Sequence, residues 1–350
     1  MLKLKDQTES TWDLVSLGEV MLRLDPGDDR IHNARSFRVW EGGGEYNVAR
    51  NLAKCFRQRA SIATAFADNQ VGRLVEDLIK QGSVDTSNIV WRKTDGISRT
   101  VRNGMYFMER GFGMRAATGC SDRGNTAVSQ LKVGDIDWKK VFDGARWFHT
   151  GGIFAGLSDT TLDVAAEAMQ AARQAGTIVS YDLNYRDSLW SDRGGRDAAN
   201  VANRRLLEFA DVVFGVEGFN PALSAYSESD FRFAAERMIS NHGNLKLVAT
   251  TLRNVSSASR HDLSGVCMHD ASIYKTSNFE GIEVLDRVGS GDAFASGLIY
   301  GLLSNKEPQA SIELATAAAT LSLTSPGDGL SATLAEVERA SVNRDSGPIR

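Results

Sequence analysis

The sequence predicts a doubly wound α/β fold, with a mostly parallel sheet covered by helices on both faces. Three observations support this prediction. From about residue 145 onward, short apolar segments alternate with amphipathic segments of helical periodicity. The apolar segments are hydrophobic on both faces, which is typical of parallel strands between two helix layers. Glycine-rich turns adjoin several of these segments, and ligands of such folds bind at the carboxyl ends of the strands.

In the first third of the chain, the hydrophobic pattern predicts a core of strands and helices from which a β-ribbon projects. Two segments rich in polar side chains, joined by the glycine-containing sequence 109–113, are typical of such a ribbon. Gly82 directly follows a helical pattern and is expected to end that helix. In chain order, the pattern predicts a strand over 13–24, a helix over 46–56, a strand over 61–66, a helix over 71–81 and ribbon strands over 100–107 and 115–119.

The remainder of the chain alternates regularly, and the sequence is expected to fold as one domain over residues 13–340. No low-complexity linker divides it. Residues 1–12 and 341–350 are expected to be flexible tails. The predicted elements are strands over 147–150, 177–183, 211–215, 246–252 and 282–285, and helices over 160–175, 198–209, 231–241 and from Asp292 onward.

Composition excludes several classes of function. The chain has 350 residues and a formal net charge of −4, without the basic excess that nucleic-acid binding requires. No apolar run approaches the roughly 18 residues that span a bilayer, and the polar N-terminus lacks the apolar segment of a secretory signal. Cys55, Cys120 and Cys267 are too far apart for a disulfide framework or a metal site. These features predict a cytoplasmic protein without nucleic-acid or membrane partners.

The segment 285–294 carries the strongest chemical signal in the sequence. Gly289, Ser290 and Gly291 form a turn at the start of an apolar helix, where backbone N–H groups lack helical partners. These donors and the helix dipole favour an anion. Asp292 in such a site is explained if it takes a proton from an attacking hydroxyl while the N–H groups hold a phosphoryl group. The alternative is an ordinary glycine turn with a capping aspartate.

A second segment, 42–49, combines consecutive glycines with a polar helix start. Gly43 and Gly44 let the backbone approach a ligand closely. Asn47 can both donate and accept hydrogen bonds, which suits the hydroxyl groups of a ligand. The alternative is a flexible turn followed by an ordinary helix-start asparagine.

A third segment, 181–190, begins in a predicted strand and continues past its carboxyl end. Arg186 in this segment could hold a carboxylate through two parallel N–H bonds. The alternative is a structural ion pair with Asp182 or Asp187.

Taken in chain order, the three segments resemble the ribokinase-like (PfkB) carbohydrate kinases, whose two signatures are Gly-Gly-x-x-x-Asn near the N-terminus and Gly-x-Gly-Asp near the C-terminus. The resemblance covers residues 13 to 340 and implies a ribokinase-like α/β core with a small β-sheet lid from about 23–40 and 98–123. It implies transfer of the ATP γ-phosphoryl group to the 6-hydroxyl of 2-keto-3-deoxygluconate. The likeness is greatest to 2-keto-3-deoxygluconate kinases, in the segments 18–24, 182–190 and 286–294.

The resemblance also implies roles for the site residues. Asp292 would be the general base, and the backbone of 289–291 would form the anion hole. Arg186 would bind the substrate carboxylate. Arg23 stands where many relatives have an aspartate, and the loss of that negative charge suits an anionic substrate. The other implied sugar contacts are Gly43, Gly44, Asn47, Tyr106 and Arg123, with Arg102 as a weaker candidate.

For the nucleotide, the resemblance implies ATP accompanied by Mg²⁺. The segment 216–219 departs from the Asn-x-x-Glu pattern of the family, which leaves Glu217 to act on Mg²⁺ through water. Relatives bind a monovalent cation through carbonyl oxygens of the loop equivalent to 324–328, which suggests K⁺. Lid ribbons in the family often pair between subunits, so a homo-oligomer such as a dimer is expected. The implied nucleotide contacts are Thr251, Arg253, Gly289, Gly291 and Thr316.

The sequence alone leaves three alternatives open. A fructokinase-like enzyme would act on a neutral sugar, which Arg23 and Arg186 oppose. A catalytically inactive sugar-binding relative is favoured by the altered segment 216–219 and opposed by the intact Gly-x-Gly-Asp. A dinucleotide-dependent dehydrogenase is disfavoured because no Gly-x-Gly-x-x-Gly follows the first strand.

Overall fold

A computed structural model describes residues 2–342 of the chain. The strands are β1 (Leu14–Leu17), β2 (Met21–Asp25), β3 (Arg38–Gly42), β4 (Ala60–Ala67), β5 (Val84–Asp85), β6 (Ile89–Arg92), β7 (Met105–Glu109), β8 (Thr118–Asp122), β9 (Trp147–Gly151), β10 (Ile178–Asp182), β11 (Val212–Phe214), β12 (Leu247–Ser257), β13 (Arg260–His269), β14 (Ser272–Lys275) and β15 (Phe279–Glu283). The α-helices are α1 (Gly44–Lys54), α2 (Gln70–Gln81), α3 (Trp138–Val141), α4 (Gly152–Ala155), α5 (Asp159–Gln174), α6 (Asp187–Trp190), α7 (Gly195–Leu207), α8 (Glu228–Asn241), α9 (Ser290–Leu303), α10 (Pro308–Ser322) and α11 (Leu334–Val342).

The main sheet has the doubly wound order that the sequence predicts. Its strands lie in the order β14–β13–β12–β11–β10–β9–β1–β4–β5, with β15 paired to β13 and β6 paired to β4. The strands from β12 to β5 pair in parallel, whereas β13, β14 and β15 add in antiparallel register. The chain winds from β1 to β4 in one direction and from β9 to β12 in the other. The boundary between β1 and β9 is therefore the switch point, where such folds bind ligands.

Helices cover both faces of this sheet, so the strands are apolar on both sides. Buried side chains of α1, α9 and α10 form one core layer with the sheet. Those of α5, α7 and α8 form the other layer. Along β1, Leu14 belongs to the first layer, while Val15 and Leu17 belong to the second. The alternation of side chains along a strand thus explains why the sequence pattern is a continuous apolar run.

A separate four-stranded sheet projects from this core. Its order is β3–β2–β7–β8, with β2 and β7 parallel and the outer pairs antiparallel. It is formed by residues 21–42 and 105–122, which overlap the segments 23–40 and 98–123 that the sequence assigns to a lid. All five residues of β8, the edge strand, are exposed.

The prediction of one continuous strand over 13–24 is wrong. The chain leaves the main sheet after Leu17 and re-enters β-structure at Met21, now in the lid. The break falls at Gly18, where an added Cβ would collide with the carboxylate of Glu45. The apolar pattern is continuous because residues of both strands are buried, although β1 belongs to the main sheet and β2 to the lid sheet.

The N-terminal segment is not the detached tail that the sequence predicts. Lys5 Nζ donates a hydrogen bond to Ala145 O at 2.8 Å, and Arg59 Nη1 donates one to Ser10 O at 2.6 Å. Of the C-terminal tail over 341–350, residues 341 and 342 end α11, and the others lie outside the described residues. Within residues 2–342, no helix has the length and hydrophobicity needed to cross a bilayer.

Candidate active site

The candidate site lies at the carboxyl ends of β1, β9 and β10, beside the switch point of the main sheet. β10 ends at Asp182, and β9 ends at Gly151. A Cβ at Gly151 would lie 3.2 Å from both Glu45 Oε1 and the Asp182 carbonyl oxygen. These strand ends therefore meet directly below the N-termini of α1 and α9.

The turn before α9 has the geometry of an anion site. Gly289 caps the helix with a left-handed backbone, φ +79° and ψ −1°, which favours glycine. A Cβ at Gly289 would also collide with the carbonyl oxygen of Asp328, so the loop 324–328 backs the turn closely. In front of Gly291, by contrast, no heavy atom lies within 4 Å of an added Cβ. The N–H groups that begin α9 thus have open space in which to hold an anion.

Asp292 is joined to the second signature by a hydrogen bond. Asn47 Nδ2 donates to Asp292 Oδ2 at 2.7 Å, which brings the starts of α1 and α9 together across 245 residues of sequence. A Cβ at Gly44 would lie 3.6 Å from Asp292 Oδ1 and 4.0 Å from Asn184 Nδ2. The sequence prediction that these motifs share a site therefore agrees with the geometry. Asn47 fixes one carboxylate oxygen, and the other faces Gly44.

Three carboxyl groups crowd this region and resist ionisation. Burial raises the pKa of Asp292 to about 7, and the negative charge of Asp182 adds to the shift. Burial also raises the pKa of Asp182 to about 6 and that of Glu45 to about 8. A carboxylate whose pKa is near neutrality is a stronger base than an ordinary aspartate and is still ionised in a large fraction of molecules. Asp292 is therefore suited to accept a proton at neutral pH.

Arg186 offers a positive charge at the same strand ends. It precedes α6 and is exposed. Its charge lowers the pKa of both Asp182 and Asp292, so it faces the cleft that they line. Within residues 2–342 it forms no ion pair with Asp182, Asp187 or any other carboxylate, contrary to the structural alternative. Its guanidinium is therefore available to a ligand.

Two further arginines, Arg253 and Arg287, lie beside the anion turn. Arg253 Nη2 donates to Ser290 Oγ at 2.7 Å. Burial lowers the pKa of Arg253, and the positive charge of Arg287 lowers it further. No carboxylate in the described part of the chain forms an ion pair with either guanidinium. Two adjacent cations without an anionic partner are expected to bind one, and phosphate is the anion that arginine pairs with best.

Several predicted lid contacts are occupied by other groups. Arg23, predicted to suit an anionic substrate, is fully buried and bound to three aspartates, so it does not face the sugar. Tyr106 donates its hydroxyl hydrogen bond to Asp328. Arg123 Nε donates to the buried Glu19 at 2.9 Å. Arg102 forms an ion pair with Asp122.

Two predicted nucleotide-side contacts are also removed from the site. Thr316 is 0 % exposed and donates its hydroxyl hydrogen bond to Ile312 O at 2.9 Å, so packing within α10 and against β13 is its role. The prediction that it contacts adenine is therefore wrong for this structure. Glu217 accepts a hydrogen bond from Arg204 Nη2 at 2.5 Å, so its carboxylate is already neutralised. Thr251 is half-buried on β12, on the same face of the strand as Arg253.

Sequence reasoning assigns no role to three residues that the structure brings to the site. Glu45 occupies one of the x positions of the Gly-Gly-x-x-x-Asn motif, for which the motif specifies no residue type. Asp182 suggests only an ion-pair partner when the sequence is read by itself. Arg287 stands within the 286–292 motif, and a charged residue directly before an anion-binding turn is the signal that identifies it.

Together these features define a class of enzyme. The site combines an aspartate of raised pKa, an anion-binding helix start and arginines without a carboxylate partner. This combination is typical of a phosphotransferase that acts on a hydroxyl group. The sequence matches the pfkB family of carbohydrate kinases over residues 12–217 and 266–334. The chain belongs to this family and is a carbohydrate kinase.

Individual relatives agree with this assignment. A 2-dehydro-3-deoxygalactonokinase of Haloferax volcanii is 29 % identical over 347 residues, which cover 96 % of this chain and 99 % of that protein. The structure of a 2-dehydro-3-deoxygluconokinase from Thermotoga maritima has a TM-score of 0.85 and 33 % identity, covering 94 % of this chain and 99 % of that one. These similarities confirm the ribokinase-like fold that the sequence motifs imply.

Two further structures bear on the comparison. A putative 2-keto-3-deoxygluconate kinase from Enterococcus faecalis has a TM-score of 0.85 at 25 % identity, covering 97 % of this chain and 99 % of that one. A putative ribokinase II from E. coli, solved in complex with ATP and Mg²⁺, has a TM-score of 0.76 at 16 % identity, covering 95 % and 100 % of the two chains. The second similarity concerns the fold alone.

Proposed function

We propose that this kinase transfers the γ-phosphoryl group of ATP to the 6-hydroxyl of 2-keto-3-deoxygluconate. The observation that carries the proposal is the unpaired, exposed Arg186 in the same cleft as Asp292. A substrate carboxylate is the group that such an arginine binds through two parallel hydrogen bonds. The names of the relatives from Haloferax volcanii and Thermotoga maritima, both kinases of 2-dehydro-3-deoxy sugar acids, support the same substrate class.

In the proposed mechanism, Asp292 is the general base. The sugar hydroxyl loses its proton to Asp292 Oδ1, the oxygen that faces Gly44, while Oδ2 accepts the hydrogen bond from Asn47. The hydroxyl oxygen then forms its bond to the γ-phosphorus as the bond to the bridging oxygen of ADP breaks. The N–H groups of 289–291 hold the negative charge on the transferring group. Gly43, Gly44 and Asn47 line the approach of the sugar.

On the nucleotide side, we propose that Arg253 binds a phosphate of ATP and that Thr251 lies beside it. The hydrogen bond from Arg253 to Ser290 supports this role, because it aims the guanidinium at the anion turn. Mg²⁺ is proposed to accompany the nucleotide, and in such sites it binds mainly phosphate oxygens and water. The described residues contain no cluster of three metal-ligating side chains, and Glu217 is paired with Arg204. The protein's own part in the reaction is therefore carried by Asp292, the anion turn and the arginines.

Tyr106 and Arg123 enter the proposal as residues that shape the lid side of the sugar site. Both are anchored by carboxylates, Tyr106 by Asp328 and Arg123 by Glu19. Arg123 remains 16 % exposed, so one edge of its guanidinium can still meet a sugar hydroxyl.

An inactive sugar-binding relative is the second candidate. It is favoured by the ion pair between Glu217 and Arg204. Glu217 is the acidic residue of the segment 216–219, which departs from the family's Asn-x-x-Glu pattern, and the ion pair makes its carboxylate less available to Mg²⁺. This candidate is opposed by the intact Gly-x-Gly-Asp sequence, which places Asp292 in the first turn of α9 and which a binding protein does not need.

ATP consumption with four sugars in parallel tests the proposal: 2-keto-3-deoxygluconate, gluconate, fructose and ribose. The expected result is turnover with 2-keto-3-deoxygluconate and little with the neutral sugars. Turnover only with fructose or ribose would refute the carboxylate role of Arg186 and favour a fructokinase-like enzyme. Sugar binding without ATP consumption would favour the inactive relative. The 2-keto-3-deoxygalactonate isomer, which differs in the orientation of one hydroxyl, belongs in the same panel.

We further propose a homo-oligomer, such as a dimer, in the cytoplasm. The fully exposed edge strand β8 supports pairing between lids, since an edge strand presents unpaired backbone groups to another chain. The free, exposed Cys120 on β8 supports a reducing compartment. Light scattering of the purified protein tests the assembly, and a monomeric mass would contradict it.

A further inference from the structure

Arg23 is the centre of a buried ionic cluster that lies outside the catalytic cleft. Its side chain is 0 % exposed, although it carries a full positive charge. Arg23 Nη2 lies 3.0 Å from Asp25 Oδ2 and 2.5 Å from Asp286 Oδ2. Arg23 Nη1 lies 2.7 Å from Asp328 Oδ1. One guanidinium thus neutralises three carboxylates, two of which lie 263 and 305 residues away in sequence.

The cluster joins the lid to the two segments that form the anion turn. Arg23 belongs to lid strand β2, and Asp286 begins the catalytic motif. The Val288 N–H donates to Asp286 Oδ1 at 3.2 Å, and the Gly327 N–H donates to Asp286 Oδ2 at 3.3 Å. Asp328 belongs to the loop 324–328, whose backbone packs on Gly289. Arg23 therefore bridges the motif and the loop directly behind the phosphoryl site.

The same loop is where relatives are expected to hold a monovalent cation. In this chain the positive charge beside that loop is already supplied by Arg23, which donates to Asp328 Oδ1, while Asp328 Oδ2 accepts from Tyr106. The like charge of the guanidinium, bound to Asp328 within this loop, would repel a K⁺ ion held by the carbonyl oxygens of the same loop. The residues present therefore do not fit a K⁺ ion at this position.

We infer that Arg23 takes the place of the monovalent cation, so that the kinase works without K⁺. A guanidinium delivered by the lid strand supplies the positive charge that keeps Asp286 and the loop 324–328 together. Because this cation is covalently part of the chain, its occupancy does not depend on the salt in the medium. Arg23 acts through Asp286 and Asp328 on the anion turn, so it is a positioning residue.

The inference rests on the proposed function for its activity assay, and a melting measurement keeps the two separable. Wild-type protein is exchanged into a tetramethylammonium buffer, and KCl then replaces the organic salt at constant ionic strength. We expect neither the rate of ATP consumption with the sugar acid nor the melting temperature to respond specifically to K⁺. A saturable, K⁺-specific rise in either quantity would overturn the inference. If no sugar is phosphorylated, the proposed function fails, and the response of the melting temperature to K⁺ still tests whether Arg23 replaces the cation.

Arg23→Met provides the converse test, because it keeps the length of the side chain and removes its charge. This variant should melt at a lower temperature than wild type and should be stabilised specifically by K⁺, which can enter the vacated cluster. Arg110→Met is the matched control, since Arg110 Nε lies 3.8 Å from Asp25, at the edge of the cluster. The control should show no K⁺ response. A K⁺ response of Arg110→Met equal to that of Arg23→Met would contradict the assignment. If Arg23→Met does not fold, the comparison of wild-type protein with and without K⁺ decides whether Arg23 takes the place of the cation.

Discussion

Replacing Asp292 by Asn removes the proposed base while leaving its surroundings almost unchanged. The amide has the size of the carboxyl group, and its oxygen can still accept the hydrogen bond that Asn47 Nδ2 donates at 2.7 Å. A positioned general base contributes about 10²–10⁴-fold to rate. We therefore expect kcat to fall by about 10²–10⁴-fold at pH 8, with little change in melting temperature.

The raised pKa of Asp292 makes this loss depend on pH. With a pKa of about 7, about nine tenths of the wild-type carboxyl is ionised at pH 8 and about one tenth at pH 6. Wild-type kcat/KM should therefore fall about ten-fold for each pH unit below 7. The variant has no group to titrate at this position. The ratio of wild-type to variant rates should thus shrink about ten-fold between pH 8 and pH 6.

A coupled assay of ADP release over about pH 5.5 to 9 measures both effects. Asp182→Asn is the matched control, because it removes a neighbouring carboxyl whose charge raises the pKa of Asp292. This control should stay active, and its acid limb should move to lower pH. An Asp292→Asn variant that retained most of its activity, or a wild-type profile that was flat from pH 6 to 8, would refute the assignment of the base.

Three other substitutions test the phosphate contact of Arg287, the raised pKa of Glu45 and the position of Thr316. Arg287→Gln removes one of two unpaired cations beside the anion turn, and steady-state kinetics should show KM for ATP raised about 10-fold or more, with a smaller change in KM for the sugar. Glu45→Gln removes a carboxyl whose folded-state pKa is about 8, against an ordinary value of 4.5. Because the unfolded chain releases this proton at lower pH than the folded one, wild-type stability falls as pH rises from 4.5 through about 8, so thermal melting should show the variant equal to wild type at about pH 4 and more stable at about pH 9. Thr316→Val should leave KM for ATP unchanged, because the Thr316 hydroxyl bonds to Ile312 O within α10; a large rise in that KM would restore the adenine contact.

The parts of the candidate site whose positions can be predicted from the sequence are those fixed by local geometry. Gly289 is required by a left-handed backbone and by the close approach of Asp328, and Asp292 follows it on the first turn of α9. Asn47 is placed by the start of α1 in the same way. Such positions can be identified because the constraint and the residue lie within a few positions of each other.

The sequence predictions that differ from the structure concern residues and strands whose partners cannot be identified from the local sequence. Nothing near Arg23 indicates that Asp286 and Asp328 will enclose it, yet these contacts decide that it is buried and cannot bind sugar. Glu217 is a nearer case, because it lies in the turn after β11 and pairs with Arg204 of α7, and the helical pattern of α7 does not indicate this contact. The fold shows the same division. The parallel strands follow from their apolar pattern, whereas the antiparallel strands are not predicted by it, because β13 pairs with β12 and β14 pairs with β13.

In the proposed function, Arg186 selects a sugar acid for phosphorylation at Asp292. The most direct test compares kcat/KM for 2-keto-3-deoxygluconate with kcat/KM for its uncharged amide, in wild type and in Arg186→Gln. A hydrogen-bonded charge pair contributes enough to predict that the acid-to-amide ratio falls by about 10- to 150-fold in the variant. An unchanged ratio, with both substrates and ATP affected equally, would show that Arg186 is structural and that the carboxylate is recognised elsewhere.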